Sequence, residues 1–190
     1  MSKRFAHIIS HLLGPEVLWP IVIVLLLTAT GWSSLTHWPV TFGFISVELL
    51  LPLGLFYVLH TLGLITDWDM TNVKERRLFF TVLIILHGAS VGLLYYWATP
   101  LAWQLRLAMW VAQTIGTVVT FSWKISAHLA LLAALITSCV VLFGWPWLLL
   151  GVVAPLLMWS RVALHKHTVA QTIAGATLTP LVMILVLWLF

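Results

Sequence analysis

Long apolar stretches separated by short polar junctions make up almost the whole chain. A helix that crosses a membrane needs about 20 consecutive, mostly apolar residues. Turn signals at Thr99-Pro100 and Gly144-Trp145-Pro146 divide the apolar sequence at points where a helix has to stop or restart. The stretches that this pattern defines are Glu16–Thr30, Val40–Ile65, Leu78–Thr99, Leu101–Phe121, Ile125–Phe143, Pro146–Trp159 and Val169–Phe190.

This pattern predicts an all-α fold, a polytopic membrane helix bundle of about six or seven transmembrane helices. No junction is long enough for a soluble domain, so residues 1–190 are expected to form a single integral membrane domain. Lys3 and Arg4 precede the first stretch, as in a signal peptide. However, the sequence before Gly31 lacks a clear small-x-small cleavage site, which favours a retained span.

Composition supports the membrane assignment and excludes several other classes. Charged residues make up 7% of the chain, against about 25% in soluble domains. A water-soluble enzyme, a nucleic-acid-binding protein and a disordered chain are therefore excluded, although the pI is about 9.7. A single cysteine, Cys139, rules out an intrachain disulfide and a cysteine-based zinc site.

The positive charges are unevenly distributed between the two sides of the predicted bundle. If the helices alternate in direction, all the Lys and Arg residues except Arg106 fall on the side of the N-terminus. The positive-inside rule then places this side in the cytoplasm, and we expect a protein of the prokaryotic inner or plasma membrane.

Three junctions on this side concentrate the polar chemistry. Histidines and cations converge there, and Ser126 stands at a helix start, where backbone N–H groups are unpaired. Cations next to helix N-termini suit a phosphate group. His167 and Gln171 are four residues apart, so the Gln171 amide can orient the imidazole. Arg161 and His167 are six apart and can meet only if the chain bends between them. The junctions are residues 67–77, 124–128 and 160–171.

The motifs in these junctions resemble those of the type-2 phosphatidic acid phosphatase superfamily, which includes lipid phosphate phosphatases and vanadium haloperoxidases. Ser160-Arg161 followed by His167 is similar to its Ser-Arg-x5-His-x3-Asp motif, and Ser126-Ala127-His128 is similar to Ser-Gly-His. The basic stretch Lys74–Arg77 stands where the first motif of the family belongs. The resemblance covers roughly residues 67–175 and looks like a compact prokaryotic membrane branch of the superfamily.

The resemblance implies a metal-independent phosphatase without a cofactor, which acts on a polyprenyl phosphate, a diphosphate or a phosphatidate. It implies that His167 attacks phosphorus to give a phosphohistidine, and that His128 protonates the leaving oxygen. Lys74, Arg77, Ser126 and Arg161 would hold the phosphate oxygens. The expected partners are membrane lipids, and nucleic acid is not among them.

Departures from the family pattern leave a second function open. Gln171 replaces the aspartate, Ala127 replaces the glycine, and Leu78 stands where a proline is usual. A neutral Gln171 can orient an imidazolium but cannot stabilise it by charge. The alternative is therefore a non-catalytic phosphatase-fold subunit, or a lipid-binding element that has a partner in a membrane complex. Arg76 also competes with Arg77 for the phosphate.

Other polar residues have simpler interpretations. Asp67 and Asp69 can bind magnesium, although solvation of the loop or pairing with Lys74 or Arg76 is favoured. His60 and His87 fall inside apolar stretches, where an interhelical hydrogen bond is expected.

Two residues are expected to serve structure rather than chemistry. Arg106 is interpreted as an anchor whose charged end reaches the membrane surface. Gly175, in an Ala-Gly-Ala sequence, is expected to allow two helices to pack closely.

Overall fold

The fold is known from a computed structural model, which describes residues 3–31, 37–67, 70 and 72–190. The described residues form helices joined by turns, as the all-α prediction requires. The helices are α1 (Lys3–Leu12), α2 (Pro15–Ala29), α3 (Trp38–Ile45), a π-helix (Ser46–Leu50), α4 (Leu51–Thr61), α5 (Val73–Trp97), α6 (Pro100–Thr120), α7 (Ala127–Phe143), a 3₁₀-helix (Trp145–Val153), α8 (Ala154–Ala163) and α9 (Val169–Leu189).

Five helical segments in the described chain are long and apolar enough to cross a membrane, and α7 is a shorter apolar helix. Large apolar side chains, including Tyr96, Leu149 and Trp188, are exposed on the outside of the bundle. Such a surface suits lipid and is compatible with an integral membrane protein. The five segments are Lys3–Ala29, Trp38–Thr61, Val73–Trp97, Trp145–Ala163 and Val169–Leu189.

The sixth apolar stretch is longer than the sequence suggests, because half of it is wound as a 3₁₀-helix. That helix rises by about 2.0 Å per residue and an α-helix by about 1.5 Å. The 19 residues from Trp145 to Ala163 therefore extend over about 33 Å, enough for a hydrocarbon core of about 30 Å. Gly144 begins this segment with a φ of 93°, a conformation that strongly favours glycine.

The helix α7 lies at the centre of the bundle. Its side chains pack against α2 and α9, and α6 packs against α9 and α5. Fully buried residues at these contacts include Val22, Leu105 and Met183. A smaller apolar cluster under the junction between α4 and α5 contains Met70 and Phe79.

Two of the polar residues inside the apolar stretches depart from their expected contacts. Arg106 is wholly buried and its Nε donates to Glu48 Oε1 over 2.6 Å, so the prediction of a surface anchor is wrong. His60 Nδ1 lies 2.9 Å from the Ile65 carbonyl oxygen, which closes the end of its own helix. His87 Nδ1 contacts Gln113 Oε1 on α6 over 2.8 Å, and this confirms the expected interhelical bond.

Candidate functional site

A tight backbone turn between α8 and α9 brings Arg161 and His167 together. The N–H of Lys166 donates to the Arg161 carbonyl over 3.0 Å, and the N–H of His165 donates to the Val162 carbonyl over 2.9 Å. These two bonds form a Schellman motif, which ends a helix and reverses the chain. His165 occupies its left-handed position with a φ of 54°. The chain thus makes the bend that the six-residue separation requires.

The next helix starts with a capping box directly after His167. The Thr168 N–H donates to Gln171 Oε1 over 3.0 Å, and the Gln171 N–H donates to Thr168 Oγ1 over 3.3 Å. His167 therefore precedes the helix rather than sharing one of its faces with Gln171. The Gln171 side chain nevertheless lies near enough to the imidazole to raise its pKa, which opposes part of the lowering by burial and by the cations. The same amide side chain thus closes the helix start and lies beside the ring.

The N-terminus of α7 packs directly on the start of α9. The Ser126 N–H donates to the Gln171 carbonyl oxygen over 3.1 Å. A Cβ added to Gly175 would lie 2.5 Å from the Ser126 carbonyl oxygen, which confirms the close packing expected of this glycine. Ser126 Oγ caps α7 by accepting the Leu129 N–H, and half-buried His128 lies in the same first turn. The junctions at residues 124–128 and 160–171 are thus in contact.

Three cations, one from each junction, act on the His167 imidazole. The residue is 7% exposed, and burial together with the charges of Arg76, Lys124 and Arg161 lowers the pKa of its imidazole to about 3. Its Nδ1 is buried and has no hydrogen-bond partner in the part of the chain that the structure describes. Near neutral pH the ring is therefore uncharged.

Of the two adjacent arginines, Arg76 is the one whose charge reaches His167. Arg76 is 4% exposed, and its guanidinium lies 5.5 Å from the centre of the Phe80 ring. Arg77 is exposed and turns toward the end of α6, where Nη2 donates to the Phe121 carbonyl oxygen and the guanidinium lies over the Phe121 ring. The two side chains thus contact different parts of the bundle.

The other members of the basic stretch hold the start of α5. Asn72 Oδ1 accepts the Lys74 N–H over 2.9 Å and caps the helix, while the Lys74 residue itself is exposed. Glu75 is buried, and its carboxylate accepts two hydrogen bonds from Thr66. One comes from the Thr66 N–H over 3.1 Å and the other from the Thr66 hydroxyl over 2.9 Å. The stretch is thus helical from Val73, five residues earlier than the apolar pattern indicates.

The first helix packs against the helix that carries Arg161. Arg161 is 2% exposed, and its Nη1 donates to Ser10 Oγ over 2.5 Å. The neighbouring Ser160 hydroxyl donates to the Ala6 carbonyl oxygen over 2.7 Å. Helix α1 therefore positions Arg161 from the other end of the sequence.

No family model, curated protein or solved structure matches the chain. The case for a function therefore rests on the geometry of the site and on the motifs.

Sequence reasoning left Lys124 and Ser10 out of the predicted site and considered Arg76 only as a competitor of Arg77. The signal for the two cations was their place in the polar junctions, whereas nothing in the sequence connects Ser10 with Arg161. The magnesium alternative involves Asp69, which lies outside the described residues. Among the residues that are described, no three His, Cys, Asp or Glu side chains cluster as metal ligands do.

A shallow apolar groove runs between α8 and α9 beside this site. It follows the two helices on either side of the turn that holds His167. Its lining residues are Met158, Trp159, Val162, Ala163, Val169 and Thr172.

Proposed function

We propose that the chain is a membrane phosphatase that removes phosphate from a lipid phosphate through a phosphohistidine at His167. The observation that carries this proposal is an uncharged, buried imidazole on which Arg76, Lys124 and Arg161 all act. An oxyanion is the natural ligand for converging cations, and a neutral imidazole is the form that can attack phosphorus.

The geometry suggests how each group contributes to the reaction. In the proposed tautomer the ring proton is on Nε2, and the lone pair is on Nδ1, which has no hydrogen-bond partner among the described residues. This nitrogen forms the bond to phosphorus as the bond to the lipid oxygen breaks. His128 gives its proton to that oxygen, and water then hydrolyses the phosphohistidine. The cations stabilise the negative charge on the phosphoryl oxygens, with Arg76 taking the place that the motif gives to Arg77.

A lipid is the proposed substrate because the groove between α8 and α9 is apolar and adjoins the phosphate site. Val162 and Val169 line it on the two sides of the turn. An acyl or prenyl chain in this groove would place its phosphate at His167. The polyprenyl phosphates and the phosphatidates are therefore the substrate classes to test first.

The bundle is proposed to have seven spans, with α6 and α7 added to the five long apolar segments. With the N-terminus in the cytoplasm of a prokaryotic cell, the junctions that carry the site then face the cytoplasm. A cysteine in place of exposed Ser122 tests this, because the native Cys139 is buried. A membrane-impermeant thiol reagent should not label Ser122→Cys in intact cells but should label it in opened membranes. Labelling of intact cells would reverse the proposed orientation.

The direct test of the activity is phosphate release from lipid phosphates in detergent, without added metal. His167→Ala should abolish it and should also abolish the acid-labile phosphoprotein trapped during turnover. The matched control is His165→Asn, because His165 is exposed and asparagine tolerates its left-handed conformation. Activity that survives in purified His167→Ala protein would exclude the phosphohistidine route.

The alternative of a non-catalytic subunit is supported by one observation: within the described part of the chain, no carboxylate is among the groups that act on the His167 pKa. Substitutions of Gln171 distinguish the phosphatase from the non-catalytic subunit. Gln171→Leu should lose activity because the ring is no longer oriented. Gln171→Glu keeps the capping box and adds a charge that stabilises the imidazolium, so activity should be retained, with its pH profile moved upward. If every form is folded and binds lipid but none releases phosphate, the subunit function replaces the enzyme.

A further inference from the structure

A second group of ionisable side chains lies inside the bundle, away from the phosphate site. Glu48 and Arg106 are wholly buried and His87 is 4% exposed. The π-helix carries Glu48, α5 carries His87 and α6 carries Arg106. Burial of three ionisable groups is costly in a membrane, so residues of this kind usually mark a site.

This group lies near the middle of the bundle. His87 is about ten residues from the end of α5 at Trp97, and Glu48 is about ten residues from the start of α3 at Trp38. At 1.5 Å per residue, both lie about 15 Å from that end of the helices, half the thickness of a hydrocarbon core.

The π-helix gives Glu48 a fixed position in this group. A π-helix is rare and is frequently found at functional sites. Trp19 Nε1 donates to the Glu48 carbonyl oxygen over 2.8 Å. Arg106 Nε and the Ser90 hydroxyl both donate to Oε1 of the carboxylate. Oε1 thus accepts two hydrogen bonds, whereas Oε2 has no hydrogen-bond partner among the described residues.

The free oxygen of Glu48 faces a free nitrogen of His87. Nε2 of the imidazole lies 3.6 Å from Glu48 Oε2 and has no hydrogen-bond partner in the described chain. The other nitrogen, Nδ1, lies 2.8 Å from Gln113 Oε1, which can only accept, so Nδ1 carries the ring proton. Two lone pairs therefore face each other, and one additional proton turns this contact into an ionic hydrogen bond.

The indole ring of Trp19 lies against both basic side chains of this group. Trp19 stacks on the His87 ring with 5.2 Å between the centroids, and the Arg106 guanidinium lies 5.8 Å from the Trp19 centroid. The face of an indole ring attracts cations. The charged groups that act on His87 are Glu48 and Arg106.

We propose that Glu48 and His87 form an intramembrane proton-binding site, in which one proton lies between Glu48 Oε2 and His87 Nε2. A hydronium ion of bulk water gives up the proton, and its O–H bond breaks as the bond from the proton to Nε2 forms. Arg106 Nε donates to the other carboxylate oxygen, Oε1, and Gln113 fixes the tautomer that presents Nε2. The site does not depend on the phosphatase proposal, because it shares no residue with the site around His167.

Nitrogen NMR of the whole protein, labelled with ¹⁵N-histidine and held in detergent micelles, tests this site. The signals of His87 are identified by their loss in His87→Gln. As the pH falls from 8 to 4, Nε2 of His87 should change from an unprotonated to a protonated shift. A Nε2 that stays unprotonated throughout this range in the native protein would overturn the proposal, whatever the variants do.

Two variants establish the role of Glu48. Glu48→Gln should lower the midpoint of the His87 titration by at least one pH unit, a tenfold loss of proton affinity. Ser90→Ala, the matched control, removes a contact of Oε1 only and should leave the midpoint within a few tenths of a unit. If Glu48→Gln does not fold, Gln113→Leu serves instead and should lower the midpoint in the same direction. An unchanged midpoint in the folded variant refutes the shared proton.

Discussion

The contact between Gly175 and Ser126 offers the sharpest test of how the site is assembled. In Gly175→Ala the new Cβ would lie 2.5 Å from the Ser126 carbonyl oxygen and 3.3 Å from the Ala130 nitrogen. An ordinary carbon–oxygen contact is about 3.3 Å, so the start of α7 has to move by about 0.8 Å. Both contacts are with backbone atoms, which no change of rotamer can relieve.

The energy of this change follows from three contributions. Overpacking of this kind costs about 1–3 kcal/mol. The hydrogen bond from the Ser126 N–H to the Gln171 carbonyl oxygen, which is 3.1 Å long in the native protein, lengthens, and this costs about 1 kcal/mol of stability. Alanine in place of glycine stabilises the helix by up to about 1 kcal/mol because its helix propensity is higher. We expect Gly175→Ala to lower the free energy of unfolding by about 2 kcal/mol.

Gly92→Ala provides the matched control on α5. Gly92 is exposed, and no atom lies within 4 Å of its added Cβ, so this variant should be unchanged or slightly more stable. Reversible unfolding in mixed detergent micelles, followed by circular dichroism, measures both free energies. Equal stability of the two variants would show that α7 and α9 are not in contact at Gly175, and the assembly described for the site would then be wrong.

Three further predictions concern the charges of the site. Arg76→Gln should reduce kcat/KM by about 100-fold, as expected for loss of a charge that stabilises the transition state. Arg77→Gln should change kcat/KM less than tenfold, and steady-state kinetics with a lipid phosphate distinguishes the two variants. The pKa of His167 is about 3 in the folded protein, below its ordinary value of 6.5. As the pH drops from 6.5 toward 3, the imidazole therefore takes up a proton in the unfolded chain but not in the folded protein, and the stability should fall. The loss is at most about 1.4 kcal/mol per pH unit, and unfolding curves of His167→Gln should lack it; an identical pH dependence in this variant contradicts the assignment. Ser10→Ala should raise KM several-fold and change kcat little, because Arg161 loses the hydroxyl that holds it; a fall in kcat alone would contradict a role in binding.

The sequence predicts the helical class and the elements around the site because these depend on local signals. Apolar length predicts the helices, and the six-residue separation of Arg161 and His167 predicts the bend between them. Gly175, flanked by alanines, indicates a close contact between helices. Each of these features follows from chain geometry, which does not depend on the rest of the fold.

Contacts between distant helices could not be predicted in the same way. In a membrane protein the lipid-facing and the buried faces of a helix are both apolar, so the pattern does not show which way Arg106 points. Its partner Glu48 lies in a π-helix, whose additional residue breaks the usual helical spacing. Arg76 and Arg77 are adjacent in a helix, and only the packing of α5 decides which of them faces His167.

The Schellman turn after α8 fixes the number of residues between Arg161 and His167. Its bonds join main-chain atoms of residues 161, 162, 165 and 166, so the side chains between the two residues can vary as long as their number does not. Insertion or deletion of one residue here would break both bonds and swing the imidazole away from the guanidinium. Natural variation in this segment should therefore consist of substitutions, with asparagine and glycine readily accepted at position 165 and no change of length.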